Sequence, residues 1–454
     1  MAENTREIIL DTLLALERGE EFSHKLIKAV LDKYNYLDGR DKAFIKRVTE
    51  GTIERQLELD YYLNHFSSVQ VRKMKPLIRC LLRMSTYQLL YMDAVPDSAV
   101  CNEACKLAAK RKFHNLKGFV NGVLRNIAKN KENLPLPDEK KDFAEYLSVK
   151  YSMPEWLVQH FLEEYGKEIT ATLLEGLLKI HPVSLRFRTD MHEAEQNALI
   201  ASIEATGAKL KPSSYLSGVY TVDNVESVSS LPGFAEGKFT VQDVSSVLAV
   251  LAADIKAGDF VMDICAAPGG KSILAAEKAG KVLARDVSDA KTAMIEENLE
   301  RMQLDNVEVE VFDATETDDR YLDKADVLIM DVPCSGLGVM GKKRDIKYHA
   351  SPEGLESITA LQKQIVEHSW QYVKPGGILL YSTCTINSAE NEKIVQWIME
   401  NFPFEPVSLD EVLPKTLLTQ KKAVMQDMQD FSIQLLPGYM EADGFFFAKL
   451  RRKE

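Results

Sequence analysis

Two cysteines of this 454-residue chain stand in turn sequences where a thiol could take part in chemistry. Cys334 lies in the sequence DVPCSG, where Pro333 restricts the backbone and Ser-Gly permits a sharp turn. Cys384 lies in the sequence STCT, and both turns directly follow apolar runs that are typical of strands. A cysteine is more often a small buried apolar side chain. Here the turns favour a chemical role, because a deprotonated thiol is a strong nucleophile.

The other four cysteines are predicted to serve packing. Cys80 lies on an apolar helix, and Cys265 lies inside an apolar strand. Cys101 and Cys105 are one helical turn apart without a His or further Cys ligand nearby, so no metal site is expected there or elsewhere. Six cysteines are too few for a disulfide framework, which favours a cytoplasmic protein with reduced thiols.

The sequence VMDICAAPGGKS at positions 261–272 predicts a ligand-binding turn. Asp263 ends an apolar strand, and a Pro-Gly-Gly turn leads into an amphipathic helix. Glycines let a ligand approach the backbone, and free N–H groups at the start of a helix favour anionic groups. The pattern is neither the dinucleotide fingerprint nor the phosphate loop. A tight turn without a ligand is the alternative interpretation.

Two further carboxylates, Asp286 and Asp313, stand at or just after the ends of the next two predicted strands. In an open parallel sheet, ligands bind beyond the carboxyl ends of the strands, where the strand order reverses. Asp286 suits ribose hydroxyls, and Asp313 suits an adenine amino group. A single strand-end aspartate is more often a turn or helix cap. Three of them in successive strand–helix units, with Asp263 as the first, favour nucleoside binding.

The elements that must position these residues alternate as strand and helix from Lys238 onward, which predicts a parallel sheet. The predicted strands of this region span residues 260–265, 281–286, 307–312, 326–331 and 377–382, followed by a hairpin of 431–436 and 445–450.

The first half of the chain has a different pattern. Residues 1–128 are predicted to be helical throughout, and the charged, proline-containing segment 130–142 is predicted to be a linker. From about 143 to 235 the pattern is mixed. Its predicted helices span 156–165, 169–178 and 193–206, and its predicted strands span 183–187 and 219–222.

The net charge of −12 is unevenly distributed. Residues 1–130 contain 22 Lys and Arg against 16 Asp and Glu, a balance of +6, so the remainder carries −18. A basic region on an acidic body suggests that this region binds a polyanion, although lysine-rich solvated helix faces explain the charge equally well. The longest apolar run, 247–253, is far shorter than the ~20 residues of a membrane span. The first residues also lack the pattern of a secretory signal.

Together these motifs resemble the RNA cytosine-5 methyltransferase family of class I S-adenosylmethionine enzymes. The matching sequences are Asp263-x-Cys-Ala-Ala-Pro-Gly-Gly-Lys271, Asp331-x-Pro-Cys-Ser-Gly336, Ser382-Thr-Cys-Thr385, Gln242-Asp243-x-Ser245 and Asp443-Gly-Phe-Phe446. A second set resembles the NusB-type helical RNA-binding domain, namely Asp41-Lys-Ala-Phe44, Leu82-Arg-Met-x-x-Tyr-Gln-Leu-Leu90 and Lys117-Gly-Phe-Val-Asn-Gly-Val-Leu-Arg125. The combination of these two sets of motifs in one chain resembles the bacterial 16S rRNA (cytosine-5)-methyltransferases.

The resemblance implies a multidomain architecture. It implies an all-α NusB-like RNA-binding domain at 1–129, a linker at 130–142 and a small α/β middle subdomain at 143–237. The C-terminal region, 238–454, is expected to be an α/β class I S-adenosylmethionine-dependent methyltransferase domain with a Rossmann-like fold.

The resemblance also implies roles for the site residues. Cys384 is the expected nucleophile toward C6 of a cytosine, and Cys334 is expected to assist removal of the C5 proton and release of the enzyme. Asp331 is expected to contact the N3/N4 edge of the base. S-adenosyl-L-methionine is the expected cofactor. Its expected contacts are Cys265, Ala266, Ala267, Pro268, Gly269, Gly270, Lys271, Asp286, Asp313 and Asp331.

The implied substrate is an unstacked cytosine in a loop or single strand of 16S rRNA, because the base must leave its stack to enter such a site. The protein is expected to be a monomer without a membrane partner. Arg344 stands where the family commonly has proline, which leaves open any base contact by Arg344, Asp345 or Lys347.

Two other functions remain as alternatives. A binding or assembly protein with a dormant catalytic fold is disfavoured by the intact cysteine motifs. A dinucleotide-dependent oxidoreductase is disfavoured by the missing glycine fingerprint.

Overall fold

The computed structural model describes residues 4–19, 21–179, 182–225, 227–424 and 429–454. These residues pack into two compact units. The helical unit comprises the chain up to Leu178 together with Lys342–His349, and the sheet unit comprises Lys179–Gly341 and Ala350–Glu454. No helix in these described stretches combines the length and the apolar character that crossing a membrane requires.

The helical unit confirms the prediction of a helical N-terminal region. Its main helices are α1 (Thr5–Glu17), α2 (Ser23–Lys33), α3 (Gly39–Glu54), α4 (Gln56–Phe66), α5 (Pro76–Tyr91), α6 (Asp97–Lys110), α7 (Lys117–Asn130), α8 (Phe143–Lys150) and α9 (Glu155–Leu178). Helix α5 starts with proline, which suits the first turn because no backbone N–H is needed there. Its residues Leu81 and Leu82 are fully buried in the core of the unit. Helix α9 covers both helices predicted between residues 156 and 178, with non-helical backbone at Gly166.

A small antiparallel sheet in the sheet unit contains the two strands predicted between residues 143 and 235. Its strands, in the order β2-β3-β1-β4, are β1 (Val183–Phe187), β2 (Lys209–Pro212), β3 (Val219–Asp223) and β4 (Phe239–Val241). Leu199 and Ile203 of helix α10 (Glu193–Glu204) pack into the core beside it. The strands predicted at 183–187 and 219–222 are confirmed. Strands β2 and β4 were not predicted, because three or four residues are too few to show an alternating pattern.

The large sheet of eight strands positions the predicted site. Its order is β10-β12-β9-β8-β5-β6-β7, and β11 pairs with β12. The strands are β5 (Phe260–Asp263), β6 (Lys281–Asp286), β7 (Val307–Val311), β8 (Ala325–Asp331), β9 (Val373–Thr383), β10 (Phe404–Pro406), β11 (Ser432–Leu435) and β12 (Phe445–Arg452). The helices of this region are α11 (Val244–Ala252), α12 (Gly270–Ala276), α13 (Asp289–Met302), α14 (Ile346–His349), α15 (Pro352–Ser369), α16 (Glu392–Asn401) and α17 (Lys415–Val424), and α14 belongs to the helical unit.

The pairing of the large sheet confirms the predicted parallel strands and the closing hairpin. Strands β5 to β9 are paired in parallel, whereas β12 is antiparallel to both β9 and β11. The strand order reverses beside β5, because β6 and β7 lie to one side and β8 and β9 to the other. A ligand is expected at this reversal. The two compact units divide the chain after residue 178 and on either side of residues 342–349. These are not the boundaries of the predicted segments 1–129, 130–142, 143–237 and 238–454, which stay predictions.

Candidate active site

The reversal of strand order brings three of the predicted turns to one edge of the large sheet. The glycine turn, residues 264–270, follows β5, and the Cys334 turn, residues 331–336, follows the neighbouring strand β8. The Cys384 turn, residues 382–385, lies at the end of β9, on the other side of β8. In the ladder between β8 and β9, Asp331 pairs with Ser382. The same edge therefore carries the glycines, a carboxylate and both thiols.

The glycine turn borders a cavity. Gly269 has a φ of +100°, in the left-handed region that a larger side chain would strain, and helix α12 begins at the next residue. The cavity has a volume of about 170 Å³. Its lining residues are Val241, Gln242, Asp243, Ser246, Asp263, Cys265, Ala266, Ala267, Pro268, Gly270, Lys271 and Asp331.

Asp263 brings an incompletely satisfied carboxyl group to this cavity. Its Oδ2 accepts a hydrogen bond from Ser272 Oγ at 2.7 Å, while the buried Oδ1 has no hydrogen-bond partner among the described residues. Burial raises the pKa of Asp263 to about 7, against the hydrogen bond from Ser272 and the positive charge of Lys271. Such a group can accept a cationic donor that enters the cavity.

A series of polar contacts fixes the start of helix α12. It also gives a structural role to the glutamine of the motif Gln242-Asp243-x-Ser245. Gln242 Nε2 donates to the carbonyl oxygen of Gly270 at 2.9 Å, and its Oε1 accepts from Arg186 Nε at 2.7 Å. Arg186 also forms a buried ion pair with Glu277 at 2.9 Å. Strand β1 therefore helps to hold the glycine turn in place.

Asp331 lines the same cavity from strand β8. Its Oδ2 accepts from Lys271 Nζ at 2.5 Å, and its Oδ1 accepts from Ser382 Oγ at 2.8 Å. The side chain is 29% exposed, so a ligand in the cavity can still reach it. Lys271 Nζ also lies 5.2 Å from the centre of the Phe445 ring. The carboxylate is thus held by two donors at the edge of an open space.

The two thiols of the candidate site are in contact. Cys334 Sγ and Cys384 Sγ lie 3.2 Å apart, within hydrogen-bond distance for sulfur. The hydrogen bond with Cys384 raises the pKa of Cys334 well above its usual value, and burial and the negative charge of Glu390 act in the same direction. Cys265, which lines the cavity, also has a raised pKa, chiefly because it is buried.

A close approach of backbone segments fixes the Cys384 turn. The N–H of Gly338 donates to the carbonyl oxygen of Cys384 at 3.1 Å, and the N–H of Gly444 donates to the carbonyl oxygen of Gly338 at 3.0 Å. A Cβ atom on Gly338 would lie only 1.9 Å from the carbonyl oxygen of Gly444, so no larger residue fits. The glycine of the motif Asp443-Gly-Phe-Phe446 therefore makes room for the chain that follows the Cys334 turn.

The two strand-end carboxylates predicted for the nucleoside lie outside the set of cavity-lining residues. Asp286 is buried and accepts from the backbone N–H groups of Ala267 at 2.9 Å and Val287 at 2.8 Å, and from Lys291 Nζ at 2.8 Å. Asp313 is exposed, and its Oδ1 accepts from the N–H and the hydroxyl of Thr315. Their predicted contacts with ribose and adenine stay predictions.

The structure thus gathers most of the predicted site residues at one place. Cys265, Ala266, Ala267, Pro268, Gly270, Lys271 and Asp331 line the cavity, Gly269 shapes its turn, and Cys334 contacts Cys384. Sequence reasoning missed Glu390, Gln362 and Asn387, which form a buried network behind the two cysteine turns. Glu390 stands in the polar stretch SAENEK, where nothing in the sequence distinguishes it from a solvated acid.

The segment Lys342–His349 is part of the helical unit. It contains Arg344, Asp345 and Lys347, for which the sequence left open a contact with the base. Arg344 forms ion pairs with Glu50 at 2.8 Å and Glu54 at 2.9 Å. Asp345 Oδ2 accepts from the N–H of Ser23 at 2.6 Å. These contacts hold the segment within the helical unit.

Lys347 is the most buried charged residue of that segment, at 3% exposure. Its Nζ donates to the carbonyl oxygens of Glu54 at 2.7 Å and Ser152 at 2.6 Å. Burial lowers its pKa to about 7. These contacts assign Lys347 a place in the packing of the helical unit.

Comparison with known families and proteins yields two family matches and full-length relatives. Residues 250–451 match the family described as 16S rRNA methyltransferase RsmB/F, and residues 3–129 match the NusB family. The chain is 33% identical to a protein of Bacillus subtilis (strain 168) named probable ribosomal RNA small subunit methyltransferase B, over 99% of each chain. It is 29% identical to the ribosomal RNA small subunit methyltransferase B of Cronobacter sakazakii (strain ATCC BAA-894), over 97% of each chain.

Solved structures share the fold. The crystal structure of PH0851 has a TM-score of 0.79 and 24% sequence identity, and the match covers 100% of both chains. The crystal structure of NSun6 from Pyrococcus horikoshii with SFG has a TM-score of 0.55 and 20% identity over 66% of this chain and 98% of that one.

Proposed function

This chain belongs to the RsmB/F family of 16S rRNA methyltransferases, and we propose that it methylates C5 of a cytosine in 16S rRNA through a covalent bond between Cys384 and C6 of the base. The observation that carries this proposal is the contact of Cys334 and Cys384, 3.2 Å apart at the sheet edge that also holds Asp331. A packing role would not require two thiols at the carboxyl ends of neighbouring strands.

S-adenosylmethionine supplies the methyl group when bound, as an electrophilic carbon on a sulfonium. The residues fit this group, because Oδ1 of Asp263, which has no hydrogen-bond partner in the described part of the chain, suits its ammonium, and the glycine turn leaves backbone open to the cavity. The turn Ala266 to Gly270 would hold the amino-acid part, and Asp286 and Asp313 would hold the ribose and the adenine. Fixed contacts of this kind orient the methyl group toward the base.

The thiol is needed because C5 of cytosine is a poor nucleophile. The thiolate of Cys384 forms a bond to C6 with a sulfur electron pair, and the C5=C6 π electrons become available at C5. C5 takes up the methyl group with that pair, while the electrons of the broken methyl–sulfur bond would stay on the cofactor's sulfur as a neutral thioether. The C5 proton then leaves, its bonding electrons restore the C5=C6 double bond, and the bond from C6 to Cys384 breaks to return the thiolate.

Cys334 and Asp331 assist at different stages. The raised pKa keeps Cys334 a thiol until the base is bound; it then gives its proton to water, accepts the C5 proton and returns to the thiol, and the same raised pKa makes the thiolate a stronger base. Asp331 accepts a hydrogen bond from the N4 amino group of cytosine and stabilises the charge that develops in the ring. Its position between Lys271 and Ser382 fixes the carboxylate before the base arrives.

The helical unit is proposed to bind the RNA backbone. Lys117, Arg125 and Lys129 of helix α7 are exposed and, at helical spacing, share a face. Gly118 and Gly122 lie on that face, and a Cβ on either would meet no atom within 4 Å. A basic helix face without bulky side chains lets phosphate groups approach closely. RNA affinity should therefore fall steeply with rising salt.

The test is methyl transfer from labelled S-adenosylmethionine to 16S rRNA from a strain that lacks this gene, followed by mass spectrometry of the nucleosides. The proposal predicts 5-methylcytidine at one position and no transfer to rRNA from the parent strain. Label in any other nucleoside would contradict it, as would label at N4 of cytidine.

A further inference from the structure

Glu390 is a fully buried carboxylate behind the two cysteine turns. Its Oε2 accepts from the backbone N–H of Ser335 at 2.8 Å and from Gln362 Nε2 at 3.1 Å. Its Oε1 accepts from Ser335 Oγ at 2.6 Å and from Asn387 Nδ2 at 2.9 Å. These four donors and a longer contact from Thr385 Oγ1, 3.5 Å from Oε1, stabilise the buried charge.

The hydrogen bonds of Glu390 reach both thiol-bearing turns through their next residues. Ser335 directly follows Cys334, and Thr385 directly follows Cys384. The hydroxyl oxygens of Ser335 and Thr385 lie 2.7 Å apart. Either hydroxyl can donate to the other, and Thr385 Oγ1 also lies 3.5 Å from Glu390 Oε1, so residues of both turns reach the same carboxylate. The chain Glu390–Ser335–Thr385 therefore connects the backbone beside one thiol to the backbone beside the other.

A second contact holds the Cys334 turn from behind. Gln362 Nε2, which donates to Glu390, also donates to the carbonyl oxygen of Pro333 at 2.9 Å. The residues on both sides of Cys334 are thus tied to one buried cluster. Removing the acceptor at its centre would leave several buried donors without partners.

We infer that Glu390 is a positioning residue that sets the separation of Cys334 and Cys384. For its catalytic meaning this inference rests on the proposed function, which assigns the two thiols successive steps on one base. Two groups that act on adjacent ring atoms must be held at a fixed distance, and a misplacement of 1 Å can cost about a hundredfold in rate.

The negative charge of Glu390 also acts on the thiols. Cys384 and Glu390 are the titratable groups that raise the pKa of Cys334 besides its burial. Tyr381, whose hydroxyl donates to the backbone oxygen of Glu390 at 2.7 Å, faces the same cluster and has a raised pKa itself, chiefly through burial. A neutral residue at position 390 would therefore lower the pKa of Cys334.

The experiment compares Glu390→Gln, which removes the charge, with Glu390→Asp, which keeps it on a shorter side chain. Asn391→Ala is the matched control. Asn391 is equally buried and contacts Thr383, the Thr385 carbonyl oxygen and Gln434, so its loss disturbs the Cys384 side without breaking the bonds from Glu390 to Ser335.

Two chemical probes report on the two thiols in the absence of RNA. Phenylarsine oxide binds two thiols at once, and iodoacetamide alkylates a thiolate, with the site identified by peptide mass spectrometry. The native chain and Asn391→Ala should bind phenylarsine oxide at the pair. Glu390→Gln should lose this binding, and the pH midpoint for alkylation of Cys334 should move to lower pH. Glu390→Asp should restore the native midpoint, because the charge is retained.

Native phenylarsine oxide binding together with a native alkylation midpoint in a folded Glu390→Gln protein would overturn the inference. If Glu390→Gln does not fold, Thr385→Val decides, because it removes the hydroxyl by which the Cys384 turn reaches Ser335 and Glu390 and leaves both of those residues in place. Loss of phenylarsine oxide binding in Thr385→Val supports the inference, and native binding overturns it. Since neither probe needs methyl transfer, a native thiol pair in a protein that fails to methylate rRNA would count against the proposed function alone.

Discussion

Two stretches that are close in the sequence, residues 331–336 and Lys342–His349, use their charged and reactive side chains in different ways. The first lies in the sheet unit, where Asp331 borders a cavity and Cys334 contacts Cys384. The second lies in the helical unit, where Arg344 is paired with two glutamates and Lys347 is buried against backbone carbonyl oxygens. The second stretch is more densely charged, with five Lys, Arg and Asp residues in eight positions against one in six. Its polar atoms are engaged in packing, however, whereas those of the first stretch remain beside an open space.

This difference explains why basic residues alone are a poor guide to function. From the sequence alone, a base contact by Arg344, Asp345 or Lys347 was left open. In the fold, Arg344 is neutralised by Glu50 and Glu54. The comparison therefore predicts that substitutions in the first stretch change chemistry and that substitutions in the second change stability.

Apart from the two thiols, the largest expected effect belongs to Asp331→Asn. Loss of the carboxylate removes the proposed acceptor for the cytosine amino group, so the methylation rate should fall about 10²- to 10³-fold, or about 2.7–4 kcal/mol of barrier. Asp326→Asn is the control, since Asp326 lies on the same strand and also pairs with a lysine, Lys374. Single-turnover methylation at saturating cofactor measures both variants. An equal loss of methylation rate in both variants would contradict a specific role of Asp331 in the site.

In the second stretch, Lys347→Ala should lower stability and leave thiol chemistry intact. The substitution opens a cavity and leaves the carbonyl oxygens of Glu54 and Ser152 without their donor, which should cost about 2–4 kcal/mol. Urea unfolding measures the loss, and alkylation of Cys334 by iodoacetamide monitors the thiols. Unchanged stability would show that this lysine does not hold the segment.

Most turns of the candidate site could be predicted from the sequence, because each carries its own local signal. Pro-Gly-Gly after an apolar strand indicates a turn at the edge of a sheet, as does a cysteine beside Pro or Thr at a strand end. In a parallel sheet this is the edge where ligands bind. Glu390 could not be predicted, since its burial depends on donors from Ser335, Gln362 and Asn387 that the sequence does not connect with it.

The strands and the packing of the fold could likewise be predicted only in part. Long apolar strands such as β8 and β9 were found, whereas β2, β4 and β10, of three or four residues, were not. The packing of Lys342–His349 in the helical unit could not be predicted either, because it depends on contacts with residues about 190 to 320 positions away in the sequence.

A smaller effect is expected at the cofactor. Asp286→Ala removes the carboxylate proposed to hold the ribose and to accept from the N–H of Ala267 in the glycine turn. Loss of such contacts should cost roughly 1.5–3 kcal/mol, about ten- to a hundredfold in affinity for S-adenosylmethionine. Titration calorimetry measures the affinity, and circular dichroism checks the fold. Native affinity would place Asp286 outside the cofactor site.

The smallest effect concerns the pH dependence of stability at Lys347. Its pKa of about 7 in the folded chain lies below the ordinary value of about 10.4, so between these pH values the unfolded state binds more protons. The free energy of unfolding should then rise with pH, by at most about 1.4 kcal/mol per pH unit. Lys347→Ala lacks this contribution, so the stability difference between native and variant chains should grow from pH 7 to about pH 9. A difference that stays constant in urea unfolding would contradict the lowered pKa.

The roles of the two thiols are tested most directly by denaturing gel electrophoresis of the protein with labelled 16S rRNA and S-adenosylmethionine. Cys384→Ala should abolish both methylation and any covalent protein–RNA species, because no bond to C6 forms. Cys334→Ala should allow attack and methyl transfer but stall release, so a denaturant-resistant adduct accumulates. An adduct with Cys384→Ala and none with Cys334→Ala would reverse the roles. Native activity in both variants would contradict thiol addition altogether.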